Sequence, residues 1–181
     1  MQNETHLGLH KDRVSLVNYC SDWPKEFERE KYELQKILGN LALAIEHVGS
    51  TSIPGLCAKP ILDVAVAVKN VETLVTLIPI LTDAGYDVLD SIEKSGEVLA
   101  RKGKPECRTH YIHVEVMGSD YWNNHILFRD YLLKHPECVE QYETLKKNIA
   151  IQFKDDRKKY TAAKNEFIQS ILALASAENS V

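Results

Sequence analysis

The stretch that decides the fold runs from residue 45 to residue 68 and reads IEHVGSTSIPGLCAKPILDVAVAV. Its first part is a short apolar segment rich in Ile and Val, which ends at Gly49-Ser50 and is followed by a loop. In its last part large side chains occupy every second position from Leu62 to Val68, and Asp63 and two alanines lie between them. This pattern predicts two strands joined by a loop, with the second strand central and covered on both faces.

The segments on either side of this stretch predict helices and further strands, which make an α+β or α/β fold. We expect a mixed β-sheet with helices on one face and a C-terminal helical layer. The predicted elements are a helix over 23–38, a helix from Asn70 to Thr82 that Pro79 kinks or splits, a strand over 86–89, a hairpin of strands 97–101 and 109–117, and helices over 124–135, 136–153 and 158–175.

Composition places the chain among globular proteins, with 181 residues of which 44% are hydrophobic and 27% charged. This length predicts one domain over residues 1–181. A chain with a net charge of −4 lacks the broad basic surface of nucleic-acid-binding proteins, which argues against nucleic acid as a partner.

The polar N-terminus MQNETHLGLHKDR and the lack of a long apolar run predict a cytoplasmic protein with no membrane partner. Cysteines 20, 57, 107 and 138 lack metal-site spacing and are expected to be buried or incidental thiols.

Polar residues between the two strands of the deciding stretch predict a site for a phosphate and a metal ion. Gly49 lets backbone N–H groups approach a phosphate closely, and Ser50 adds a hydroxyl donor. Asp63 can hold the divalent cation that bridges phosphates. The structural alternative is that Gly-Ser forms an ordinary turn and that Asp63 accepts hydrogen bonds from the loop.

The later strand HYIHVEVM, residues 110–117, places Tyr111, His113 and Glu115 on one polar face. If it lies near the central strand, Glu115 or His113 meets Asp63 as a second metal ligand. A solvated strand face gives the same alternation. His110 points to the opposite face from His113, so the two make a poor chelating pair.

Six segments of the chain closely resemble the GrpB family, and together they extend over nearly all of it, from about residue 14 to residue 171. An ordered series of this length is far more specific than a lone Gly-Ser pair. The segments are SDWPKEFEREK (21–31), EHVGSTSIPGLCAKPILDV (46–64), RTHYIHVEVMGSDYW (108–122), HILFRDYLLKHPE (125–137), YETLKKN (142–148) and YTAAKNEFI (160–168).

The resemblance implies an α+β fold of the nucleotidyltransferase-like superfamily, which includes DNA polymerase beta. It further implies metal-dependent nucleotidyl transfer from a nucleoside triphosphate to an unknown acceptor. Gly49 and Ser50 match the superfamily's Gly-Ser, Asp63 matches its first carboxylate, and Glu115 is the candidate for its third. Asp63 and Glu115 are thus the implied catalytic residues and ligands of Mg²⁺ or Mn²⁺. Ala65 replaces the second carboxylate, so the alternative is an inactive nucleotide-binding or protein-interaction module that keeps the fold.

Several basic residues suit a phosphate partner, and for each of them the alternative is a surface ion pair. In some relatives the domain is fused to dephospho-coenzyme A kinase, which implies a link to coenzyme A metabolism. The nucleotide-binding candidates are Lys59 in the loop, Arg129, Lys146 and Lys164 at positions that match the family's FRDYL and terminal lysines, and, in the hairpin, Arg101 and Arg108.

Overall fold

The computed structural model describes residues 6–90 and 96–179. Across these residues one sheet contains the strands β1 (Ala44–Val48), β2 (Leu62–Val68), β3 (Asp87–Asp90), β4 (Val98–Lys102) and β5 (His110–Val116). Their spatial order is β1-β2-β5-β4-β3, with β2 and β5 parallel and the other neighbouring pairs antiparallel. The predicted mixed sheet is confirmed. β2 is an interior strand between β1 and β5, covered on both faces as its residue pattern indicates, and the middle strand of the five is β5.

Helices cover both faces of this sheet. Short 3-10 turns at Gly39–Leu41 and Ser50–Ser52 flank β1. The predicted helix over 158–175 is wrong as a single element, because the chain turns at residues 163–164 and forms two helices there. The helices in the described part of the chain are α1 (Trp23–Leu38), α2 (Val71–Asp83), α3 (Asp120–Lys134), α4 (Pro136–Gln152), α5 (Arg157–Ala162) and α6 (Asn165–Glu178).

Pro79 is expected from the sequence to kink or split helix α2. The helix is continuous through Pro79, so the predicted split is wrong. A proline lacks the N–H that would bond to the carbonyl four residues earlier, here that of Val75. Val75 is 55% exposed, so this part of the helix faces solvent. The helix begins as predicted at Asn70, whose Oδ1 accepts a hydrogen bond from the Thr73 N–H at 3.1 Å.

The two faces of β2 pack against different helices. The large side chains from Leu62 to Val68 join α1 and α2 in the main core. On the opposite face Ala65 and Ala67 pack with Trp122 of α3, and the C-terminal helices form the predicted helical layer there. The short side chains of Ala65 and Ala67 leave room on this face for the large ring of Trp122. The neighbouring Asp63 shares this face with them.

The structure also bears on the expectations about cysteines, membrane spans and domain number. The four cysteines are free thiols, and Cys57 and Cys138 are buried. Across residues 6–90 and 96–179, no helix has the length and apolar character needed to cross a bilayer. The first five residues of the polar N-terminus lie outside the described residues. That residues 1–181 form one domain stays a prediction.

Candidate functional site

A cavity of about 440 Å³ lies between the alanine face of the sheet and the C-terminal helices. Its volume is within the range of about 300–1,000 Å³ that is typical of small-molecule sites. Among the described residues, cationic side chains in its lining outnumber carboxylates, since Asp63 is the one acidic group there. An anion therefore suits the cavity better than a cation does. Apart from tyrosines, the ionisable lining residues are Lys59, Asp63, His113, His125, Lys146, Arg157 and Lys164.

The loop after β1 passes directly over Asp63 at Gly49. Gly49 has φ 69°, and a Cβ placed on it would lie 2.5 Å from Asp63 Oδ2 and 2.9 Å from Asp63 Cβ. A residue with a side chain does not fit there without displacing the carboxylate. Ser50 follows and begins the 3-10 turn Ser50–Ser52. Gly49, Ser50 and Asp63 all line the cavity, so the structure brings together these three predicted residues.

Asp63 faces a histidine from the neighbouring strand. His113 Nε2 lies 3.7 Å from Asp63 Oδ1, and His113 Nδ1 lies 3.3 Å from Glu97 Oε2. Burial alone would lower the pKa of His113, but the two carboxylates raise it to about 10. Burial would likewise raise the pKa of Asp63, whereas His113 and Lys59 hold it below its usual value. At neutral pH the pair is thus an imidazolium and a carboxylate.

Lys146 reaches the cavity from α4 and is almost completely buried, with 1% of its surface exposed. Its ammonium donates a hydrogen bond to the Cys57 carbonyl and lies 5.0 Å from the centre of the Tyr142 ring. Burial lowers the pKa of Lys146 to about 7. This lysine is therefore close to losing its charge in the empty cavity, and an anion nearby would favour the charged form.

Two further lysines lie on one aromatic ring. The Nζ atoms of Lys59 and Lys164 are 5.5 Å and 4.8 Å from the centre of the Tyr160 ring. Burial, followed by the charges of Arg157 and Lys164, lowers the pKa of Lys59 to about 7. Burial also lowers the pKa of Lys164. The predicted residues Lys59, Lys146 and Lys164 thus line the same cavity.

Arg129 does not line the cavity, so the structure does not bring it together with the other predicted phosphate-binding residues. Its guanidinium donates to Glu46 Oε2 at 2.7 Å, to Asp130 Oδ1 at 2.8 Å and to the His47 carbonyl at 3.1 Å. These contacts match the ion-pair alternative. The hairpin arginines are also engaged elsewhere, because both Arg101 and Arg108 donate to Asp87.

The structure does not bring Glu115 to Asp63. In the parallel pair of β2 and β5, Asp63 is opposite Tyr111 and Glu115 is opposite Ala67. Four residues along a strand correspond to about 13 Å at the usual rise. Glu115 is instead fully buried beside His125, whose Nδ1 lies 3.0 Å from Glu115 Oε1. The predicted carboxylate pair is therefore separated by the register of the two strands. His110, as predicted, faces the other side of the sheet, 4.0 Å from Glu30.

The residues around Asp63 do not fit the two Mg²⁺ or Mn²⁺ ions of nucleotidyl transfer. Such ions take several oxygen ligands, most of them anionic. Ala65 replaces the second carboxylate, and Glu46, opposite Ala65 on β1, is held by Arg129. Asp63 itself is paired with the His113 imidazolium. The requirement for Mg²⁺ or Mn²⁺ stays a prediction that the local geometry does not favour.

Apart from tyrosines, two ionisable residues of the cavity lining are missing from the sequence prediction. Arg157 Nη1 donates to the Tyr111 hydroxyl at 2.7 Å and to the Lys11 carbonyl at 2.9 Å, and it lies in the highly charged segment KDDRKK over 154–159. His125 projects from α3 into the cavity together with Phe128. The three-residue spacing of these two marks one helix face, but only the packing of α3 on the sheet shows that this face is inward.

Comparison with known proteins agrees with the resemblance in the sequence. The family model described as GrpB protein matches residues 13–174. The glutamate-rich protein GrpB of Alkalihalophilus pseudofirmus is 38% identical over an aligned length of 170 positions, and the alignment covers 92% of this chain and 98% of that protein. The crystal structure of the conserved protein GrpB from Enterococcus faecalis superposes with a TM-score of 0.83 at 34% identity, covering 92% of this chain and 100% of that one. A dephospho-CoA kinase of Mycolicibacterium paratuberculosis is 26% identical over an aligned length of 180 positions, and the alignment covers 86% of this chain and 44% of the kinase. The chain belongs to the GrpB family.

Proposed function

We propose that the cavity binds a phosphorylated small molecule of the nucleoside triphosphate class. The observation that carries the proposal is the convergence of Lys59, Lys146, Lys164 and Arg157 on one cavity of about 440 Å³. Lysine offers a point charge and arginine a planar fork, and both suit phosphate oxygens. The polyphosphate lies among these four side chains, next to the Gly49-Ser50 loop. Because nucleoside triphosphates are intracellular ligands, the proposal includes a location in the cytoplasm.

The low pKa values of the lysines support an anion of high charge. Burial and, to a lesser extent, the charges of neighbouring cations lower the pKa values of Lys59 and Lys146 to about 7. A polyphosphate supplies the missing negative charge and stabilises the ammonium forms. Tyr111, Tyr121 and Phe128 also line the cavity and provide aromatic surface for the nucleoside part of the ligand.

Binding without nucleotidyl transfer is the form of this function that the site favours. Transfer by two metal ions needs the carboxylate that Ala65 replaces, and Glu115 lies about four residues along the sheet from Asp63. A nucleotide-binding module that keeps the fold needs neither group. The similarity to a dephospho-CoA kinase makes coenzyme A precursors a second set of candidate ligands.

A thermal-shift screen tests the binding proposal. The full chain is heated with each common nucleoside triphosphate and with coenzyme A precursors, with and without Mg²⁺. A ligand at 100 times its Kd stabilises by about 2.7 kcal/mol, which raises the Tm of a protein of this size by roughly 5–10 °C. Lys164→Met is expected to lose the shift. Lys158→Met, an exposed lysine on the preceding helix, keeps it. No shift with any ligand, or equal shifts in both variants, would contradict the proposal.

Release of pyrophosphate separates binding from transfer. The protein is incubated with the triphosphate that binds, with Mg²⁺ or Mn²⁺, and with cell extract as the source of acceptors. We expect no release above that of a heated sample. Metal-dependent release that disappears in Asp63→Asn would establish nucleotidyl transfer and replace the binding-only form of the proposal.

A further inference from the structure

A cluster of three side chains lies beside the cavity and takes no part in the proposed phosphate contacts. His113 and Glu115 come from alternate positions of β5, and His125 comes from α3. One ligand atom from each of the three lies within 4.8 Å of the others. The two imidazole rings are 4.9 Å apart between centroids. Three side chains with metal-binding atoms therefore converge on one point from two elements.

The buried carboxylate of Glu115 is only partly satisfied by hydrogen bonds from the described residues. Its side chain has no exposed surface, and among the described residues its Oε1 accepts no hydrogen bond of acceptable geometry. His125 Nδ1 lies 3.0 Å from this oxygen but bonds to Oε2 at 3.3 Å. Leaving a buried carboxylate oxygen without a partner is costly, and such atoms are rare in native proteins. A cation between the rings and this oxygen would satisfy it.

We propose that His113, Glu115 and His125 bind one divalent transition-metal ion of the Zn²⁺ class. Two imidazole nitrogens and one carboxylate oxygen are ligands that Zn²⁺ prefers, whereas Mg²⁺ takes oxygen ligands. This donor set differs from the Asp63–Glu115 pair predicted from the family resemblance. Both histidines line the cavity, so a fourth, open position of the ion faces the space where ligands enter. Three protein ligands with one open position are typical of catalytic zinc sites.

The surroundings of His113 suit a metal ligand. A metal-binding histidine usually donates its other ring N–H to a carboxylate, which fixes the orientation of the ring. His113 has two such carboxylates, Glu97 at 3.3 Å and Asp63 at 3.7 Å. Each ring nitrogen faces one of these carboxylates, so the ion must displace the proton from one nitrogen, while the carboxylate at the other nitrogen keeps the ring in place. Asp63 acts here as a positioning residue and not as a ligand.

Metal titration of the full chain, without an affinity tag and after treatment with a chelator, tests this site. Isothermal calorimetry with Zn²⁺ is expected to show one ion per chain, and calorimetry with Mg²⁺ is expected to show no binding at the same concentrations. His125→Gln and Glu115→Gln should each weaken Zn²⁺ binding at least tenfold. His135→Gln is the matched control, because His135 also lies near carboxylates, 3.1 Å from Glu137 and 3.0 Å from Glu178, but outside the cluster.

Nuclear magnetic resonance of the histidine ring nitrogens keeps the test independent of how well the variants fold. In the wild-type chain, Zn²⁺ should shift the ring signals of His113 and His125 and leave that of His135 in place. The proposal is overturned if Zn²⁺ does not bind, if it shifts only other histidines, or if the cluster variants bind as tightly as the control. No nucleotide is present in these experiments, so their outcome is separate from that of the phosphate proposal.

Discussion

At the scale of single residues, two features restrict position 49 to glycine: the backbone conformation and the close approach of Asp63. Its φ of 69° is unfavourable for other residues, and an added Cβ would lie 2.5 Å from Asp63 Oδ2. Gly49→Ala is therefore expected to lower the free energy of unfolding by about 2–4 kcal/mol, from backbone strain and overlap together. Gly55 in the same loop has φ 82° and nothing within 4 Å of an added Cβ, so Gly55→Ala should lose only about 1 kcal/mol. Urea unfolding of both variants measures the difference, and equal losses would show that Asp63 moves aside freely.

Lys146 gives a residue-scale prediction about pH. Its pKa is about 7 in the folded protein and about 10.4 in an unfolded chain. Between these values the unfolded chain binds more protons, so the stability of the folded state rises with pH. One such group contributes up to about 1.4 kcal/mol per pH unit.

Lys146→Met should remove that contribution to the rise between pH 7 and 8.5. The adjacent Lys147, with 57% of its side chain exposed, provides the control variant Lys147→Met, which should keep the wild-type slope. Unfolding by urea at several pH values gives the slopes. A Lys146→Met variant with the wild-type slope would mean that Lys146 stays charged in the folded protein.

At the scale of elements, Pro79 is the clearest case of a local rule that the structure overrides. Helix α2 is continuous through Pro79, which is on its exposed side. Pro79→Ala restores an N–H to the Val75 carbonyl and is expected to raise stability by about 1–2 kcal/mol, since part of the usual penalty of about 3 kcal/mol is offset by the stiffer unfolded chain. Pro136 occupies the first turn of α4, where proline is tolerated, so Pro136→Ala should change stability little. A Pro79→Ala variant with no higher Tm would mean that the proline is unstrained.

Elements whose pattern is local were predictable, and relations between distant elements were not. The alternation from Leu62 to Val68 was enough to identify β2 and its two buried faces, because side-chain direction along a strand depends only on sequence position. The separation of Asp63 from Glu115 depends on the register of β2 against β5, which neither strand encodes alone. The partners of Arg129 come from β1 as well as from its own helix. Both relations needed the assembled sheet.

At the scale of the whole molecule, the cavity exists only because distant parts of the chain meet. Its lysines come from the loop before β2, from α4 and from the turn before α6. Each lysine in the sequence alone resembles an ordinary surface residue. Only in the fold is Lys146 buried and Lys59 half-buried near other cations, and this partial removal from water is the main reason for their pKa values of about 7.

The same coupling predicts how ligand binding depends on pH. Above pH 7.5 the phosphates of a nucleoside triphosphate are already ionised, since the second pKa of a phosphate monoester is about 6. Lys59 and Lys146 are then largely neutral in the empty cavity and must take up protons when the anion binds. Affinity should therefore fall between pH 7.5 and 9, by up to about tenfold per pH unit for each proton taken up.

Calorimetry in buffers with different ionisation enthalpies counts these protons directly. The wild-type chain should take up one to two protons with the triphosphate at pH 8, and Lys146→Met should take up fewer than Lys147→Met. Protein stability and ligand affinity thus change in opposite directions with pH, because the charged lysines that weaken the empty fold are those that the ligand needs. A Kd that is constant from pH 7.5 to 9, with no proton uptake, would show that these lysines do not meet the phosphates.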